Sequence, residues 1–89
     1  MTDRATRLAR LKFRAWHRGT READYMMGGF FDRYHGDWGD AEIAWFETLL
    51  EVDDPHIMDW AMRRAPVPDE HAGPLMDALM RLDYVRVGE

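Results

Sequence analysis

The chain contains no cysteine and no serine. The first absence excludes a disulfide scaffold, a zinc ribbon, a thiolate-held cluster and a cysteine nucleophile. The second removes the commonest hydroxyl nucleophile and leaves Thr2, Thr6, Thr20 and Thr48, of which Thr20 is explained by its place near a helix start. Long apolar runs are also missing. The longest, Ile43 to Phe46, is far short of the ~20 residues that a membrane helix needs, so no membrane insertion is expected. No apolar stretch of a secretory signal opens the chain, no segment alternates like a strand, and no glycine-rich loop would cradle a phosphate. Internal repeats and low-complexity segments are absent too. With neither signal nor cysteine, the expected compartment is a bacterial cytoplasm. The mitochondrial matrix is the alternative, because an arginine-rich N-terminus also suits a transit peptide.

What is present suffices for one small core. The 89 residues are 46% apolar and include four Trp, four Phe and three Tyr. A single domain over 1–89 is expected, folded from about 4 to 82 with a tail over 83–89. The net charge of −5 is unevenly spread. Residues 1–22 hold seven bases and two acids, whereas residues 23–89 hold five bases and fifteen acids. A basic first segment on an acidic body either marks a partner or reflects attraction between the two parts of the chain.

Glycine and proline divide the sequence into five short helical segments, which predicts an all-α bundle joined by links of about two to nine residues. The first helix spans about Thr6 to His17, with Leu8, Leu11 and Ala15 on one stripe, Phe13 and Trp16 flanking it, and Gly19 as its breaker. The second, about Thr20 to Tyr34, repeats apolar side chains in steps of three and four: Ala23, Met26, Met27, Phe30, Phe31, Tyr34. Gly28 and Gly29 interrupt it at a propensity cost of roughly 2 kcal/mol, which a closely packed neighbour would explain. Asp40 is expected to cap a third helix to about Val52. Asp53-Asp54-Pro55 signals the start of a fourth, running to about Arg64. Pro66-Val67-Pro68 enforces an extended link, and a last helix spans about Gly73 or Pro74 to Leu82. Tyr84 or Val85 is expected to dock the tail.

The histidines offer no metal site. His17, His35, His56 and His71 lack partners at the spacing of a helical zinc site, and all four are expected at the surface. The carboxylates read as a solvated face, and an active site of its own is not expected.

One cluster remains: Trp16-His17-Arg18-Gly19-Thr20-Arg21-Glu22. Gly19 ends the first helix, and Gly19 to Glu22 has the spacing of a capping box. Capping leaves charged side chains of both signs around a residue without a side chain, beside a large aromatic. A partner's backbone can approach such a glycine closely, and arginine and glutamate supply directional hydrogen bonds.

Arg18-Gly19-Thr20-Arg21-Glu22 resembles the R-G-x-x-E signature of the FAD assembly factors of succinate dehydrogenase, known in mitochondria as succinate dehydrogenase assembly factor 2. The pentapeptide alone is a weak match and gains specificity from its context. Arg10-Leu11-Lys12-Phe13-Arg14-Ala15-Trp16 is similar to the family's first helix. The segment from Trp45-Phe46-Glu47 through Asp53-Asp54 to Trp60 and the proline-bracketed link to a last helix extend the likeness over about residues 4–82.

The resemblance implies a five-helix protein that binds the immature flavoprotein subunit of succinate dehydrogenase and promotes its covalent flavinylation. The related fumarate reductase subunit is a second candidate client. The bond joins a histidine of that subunit to the flavin 8α-methyl carbon, so the helper supplies geometry and no catalytic residue. Arg18, Gly19 and Glu22 are implied as the partner-binding surface, with Arg14, His17 and Arg21 as neighbouring candidates. No cofactor is expected to bind tightly to this chain; the FAD concerned is the client's. The competing reading is a small nucleic-acid-binding or regulatory adaptor that uses the basic first helix. The acidic body weighs against it, and no nucleic acid partner is expected.

Overall fold

In the computed structural model, residues 3–85 are described, and they fold into five α-helices with no strand among them. The helices are α1 (Arg4–Trp16), α2 (Arg21–Tyr34), α3 (Asp40–Leu50), α4 (Asp54–Ala61) and α5 (Pro74–Arg81), with one 3-10 turn at His35–Asp37. The expected all-α bundle is what forms.

The centre of the core is α2. Met26, Met27, Phe30 and Phe31 are buried along the predicted stripe. The Phe30 ring has no exposed surface and lies 5.1–6.1 Å from the rings of Tyr34, Trp38, Trp45, Phe46 and Tyr84. Ile43, Phe46, Leu49 and Leu50 close the core from α3, and Ile57 and Trp60 from α4. Burying an aromatic side chain contributes on the order of 2 kcal/mol, so this cluster carries much of the driving force for so small a fold.

The two central glycines accept neighbours. The Trp16 indole lies on Gly28, and a Cβ built there would fall 2.6 Å from Trp16 Cγ. At Gly29 the neighbour is the backbone of Tyr84, whose carbonyl oxygen would lie 3.3 Å from an added Cβ. Tyr84 is therefore part of the core, buried beside Phe30, and its hydroxyl donates to the Leu79 carbonyl at 2.8 Å. Burial pushes the Tyr84 phenol above its ordinary range. Val85 is half-buried, and positions 86–89 of the expected tail lie outside the described residues.

Helix ends depart from the sequence reading in instructive ways. Gly39, not Asp40, caps α3, and the Glu42 carboxylate accepts from the Gly39 amide at 2.6 Å. Asp53 caps α4 through its backbone position and places Pro55 second in the helix. That helix stops at Ala61, short of Arg64, because Arg63 turns left-handed at φ 62°. The Arg64 amide then donates to the Asp59 carbonyl at 2.8 Å, which closes a Schellman-type end. The α4–α5 link thus covers 62–73, longer than the sequence suggests. It is pinned where Trp45 Nε1 donates to the His71 carbonyl at 3.0 Å. His71 itself is buried, 5.3 Å from the Trp60 ring, which corrects its expected place at the surface. His35 is half-buried, its Nδ1 2.8 Å from the Phe31 carbonyl, whereas His17 and His56 are exposed as expected.

The uneven charge is largely resolved within the fold. On the flank of α1 facing α3, Arg7 makes a two-pronged bond to Glu47 at 2.9 and 2.6 Å, and Arg14 pairs with Glu51. Arg4 reaches Asp40 and the Trp38 carbonyl, while Lys12, on the other flank, lies 3.5 Å from Asp32. The bonds from Arg7 hold the Glu47 carboxyl below its ordinary value of 4.5. Attraction between a basic helix and its acidic neighbours accounts for most of the polarity seen in the sequence.

Candidate functional site

The corner between α1 and α2 is built by its termini. Helix α1 ends at Trp16, and Gly19 follows at φ +117°, a conformation that only glycine adopts readily. An added Cβ there would meet nothing within 4 Å, so the need for glycine is conformational and the space around it is open. Thr20 is the actual N-cap of α2, its hydroxyl accepting from the Ala23 amide at 3.2 Å. Asp24, not Glu22, reaches back, accepting from the Arg18 amide at 2.6 Å. Glu22 is consequently spared from capping and stays exposed.

Arg18 takes a different role from the one its charge suggested. Its side chain is only 11% exposed. The guanidinium donates to the Leu50 and Val52 carbonyls, each at 2.8 Å, and Nε donates to Asp54 at 2.8 Å. Leu50 ends α3, and the last carbonyls of a helix lack intrahelical donors. Arg18 therefore fastens the α1–α2 corner to the joint between α3 and α4. Its side chain, expected at the partner-binding surface, is thus engaged within the chain by partners all more than thirty positions away in sequence.

The remaining candidates face outward. Arg21, Glu22 and His17 are exposed, and no ion pair among the described residues engages Arg21 or Glu22. His17 Nδ1 sits 2.6 Å from the Phe13 carbonyl, which fixes the ring at the end of α1. Arg14 is held by Glu51, its side chain 41% exposed. Between Gly19, Arg21 and Trp16 lies a shallow open groove of about 500 Å³. Beyond Trp16 and Tyr25, whose rings meet edge to face at 6.3 Å, a second depression of about 600 Å³ runs toward Arg33 and Tyr84. No group of three or more histidine, aspartate or glutamate side chains among the described residues is placed to hold a metal ion. None of their helices is long and apolar enough to cross a membrane.

A signature corner of this construction, on this bundle, can be set beside known proteins. The sequence pattern of the family described as "Flavinator of succinate dehydrogenase" matches residues 9–83. The chain belongs to this family. An FAD assembly factor, SdhE, of Acetobacter pasteurianus is 39% identical over 84 residues, which is 94% of this chain and 77% of the relative. The mitochondrial succinate dehydrogenase assembly factor 2 of Mycosarcoma maydis is 35% identical over 65 residues, 73% of this chain but only 27% of that longer protein. An SdhE of Haemophilus ducreyi is 37% identical over 51 residues, covering 57% of this chain and 62% of the relative. The matched span in this flavinator-family chain includes the whole corner, both its exposed charges and the Arg18 fastening.

Proposed function

We propose that this protein binds the immature flavoprotein subunit of succinate dehydrogenase and promotes covalent attachment of FAD to it, without contributing a catalytic residue. Family membership supports the client. The observation that carries the mechanism is the corner itself, where Arg21 and Glu22 stand exposed beside open Gly19 while Arg18 locks the inner side. A rigid corner of this kind holds a client in one geometry, and proximity supplies the acceleration. The bond-forming chemistry belongs to the flavin and to its own protein.

In this reading Gly19 and Glu22 meet the client directly, with Arg21 and His17 beside them and Arg14 at the rim. Arg18 acts as a positioning residue. The flavoprotein subunit of fumarate reductase is a second client, and the FAD remains the client's cofactor. Nucleic acid has no part in this reading, since Arg4, Arg7, Lys12 and Arg14 already face carboxylates of the same chain.

Co-expression with the flavoprotein subunit, followed by in-gel flavin fluorescence, tests the proposal. Glu22→Ala and Arg21→Ala are expected to keep the wild-type melting temperature and to lower covalent flavin. Wild-type fluorescence in both would leave the corner with a structural role alone. Gly19 variants are less decisive, because the positive φ strains any replacement by about 1–3 kcal/mol whether or not a partner binds.

A further inference from the structure

The outer face of α1 carries a feature that the bundle does not use. Phe13 is 63% exposed, although the helix has a buried stripe for apolar side chains at Leu11 and Ala15. Its ring stacks on His17 with centroids 3.9 Å apart and planes 15° from parallel. The His17 ring is in turn fixed on the Phe13 carbonyl. This pair is a flat, pre-ordered apolar platform, and a platform already ordered forfeits little entropy when something docks on it.

Its surroundings specify what docks. Arg10 lies one turn before Phe13 and Arg14 on the same side of the helix. It is exposed and has no acidic partner among the described residues. No acid occurs anywhere in α1, and Glu51, which caps the end of α3, is held by Arg14. Across Gly19 the next exposed cation is Arg21. The face is therefore apolar at its centre and positive at its edges, and it is continuous with the corner.

We infer that the Phe13–His17 stack together with Arg10 forms a second contact with the flavoprotein client, taking an acidic segment that presents an apolar side chain. This rests on the function proposed above and extends its contact beyond the signature. The platform receives the apolar side chain, and Arg10 meets a neighbouring carboxylate. Such a division lets charge steer the encounter while the apolar contact slows departure.

The test places the photo-crosslinker p-benzoylphenylalanine at position 13, 22 or 62 of the full chain. Each variant is irradiated with the purified succinate dehydrogenase flavoprotein subunit carrying non-covalent FAD. Position 62 is the control, because Met62 is also exposed but lies on the α4 end. Crosslinks from 13 and 22 but not 62, with the position-13 adduct mapping to an Asp/Glu-rich peptide, are expected. In parallel, Phe13→Ala is expected to weaken binding about tenfold or more with an unchanged melting temperature, with Phe13→Tyr restoring it. Arg10→Glu is expected to slow association chiefly at low salt. A crosslink from 22 alone, a basic peptide at 13, or a 13-to-13 adduct between two copies overturns the inference and leaves the client reading intact. Failure at both 13 and 22 overturns both.

Discussion

The indole of Trp16 rests on the backbone of Gly28, filling the space that a side chain at that position would occupy. The two residues join α1 to α2 next to the candidate site, since Trp16 also walls both surface grooves. Gly28→Ala should gain about 1 kcal/mol of helix propensity and lose more through displacement of the indole. A net destabilisation of about 2 kcal/mol is expected, read as a fall in melting temperature of roughly 10 °C. In a Trp16→Ala background the same change should become neutral or stabilising, because the two positions are coupled.

Arg18 offers a second test. Arg18→Lys keeps the charge but loses the planar fork that serves two carbonyls and a carboxylate. A loss of about 2–4 kcal/mol is expected in denaturant unfolding, because the Leu50 and Val52 carbonyls and the Asp54 carboxylate lose donors in a mostly buried place. A variant as stable as the wild type would show that these bonds are not maintained in solution.

Much of this was visible in the sequence, and the exceptions share a cause. The α2 stripe follows from its period, and Phe30, Phe46 and Trp60 are buried as their spacing predicts. Local pattern also marks the corner, but it misassigns the roles within it. Gly19 and Glu22 have capping-box spacing, yet Thr20 caps and Asp24, one residue past the box position, reaches back beyond the cap to the Arg18 amide. The partners of Arg18 lie in another helix joint and leave no trace in neighbouring residues. His71 is buried by the fold of a link, where no periodicity exists to report a face. Phe13 flanks the apolar stripe in sequence but turns outward, since Leu11 and Ala15 already fill the contact.

Arg63 provides a prediction of the opposite sign. It closes α4 at φ 62°, a left-handed conformation costly for a residue with a side chain. Arg63→Gly is expected to stabilise the protein by about 1 kcal/mol in denaturant unfolding. A loss of stability instead would mean that the arginine side chain contributes contacts outweighing the backbone strain.

Acid should act through Glu47. Hydrogen bonds from Arg7 hold its folded-state value below the ordinary 4.5. The stabilisation is therefore complete above about pH 4.5 and is lost as pH falls through the lower folded value. Glu47→Gln should cost under about 1 kcal/mol at neutral pH, since the pair is partly exposed, and should flatten the acid limb of a stability-against-pH profile. An acid limb identical to wild type would place the sensitivity elsewhere, for instance at Asp3, whose carboxyl is lowered by the Thr6 amide.

The fastening at Arg18 has a mechanical consequence. A hinge at glycine would ordinarily let two rods swing, yet here the residue before the hinge is tethered to a distant joint. The angle between the rods is thus set before any client arrives. A partner docking on this corner therefore meets a surface of fixed shape, and little conformational freedom is left there to be lost on binding.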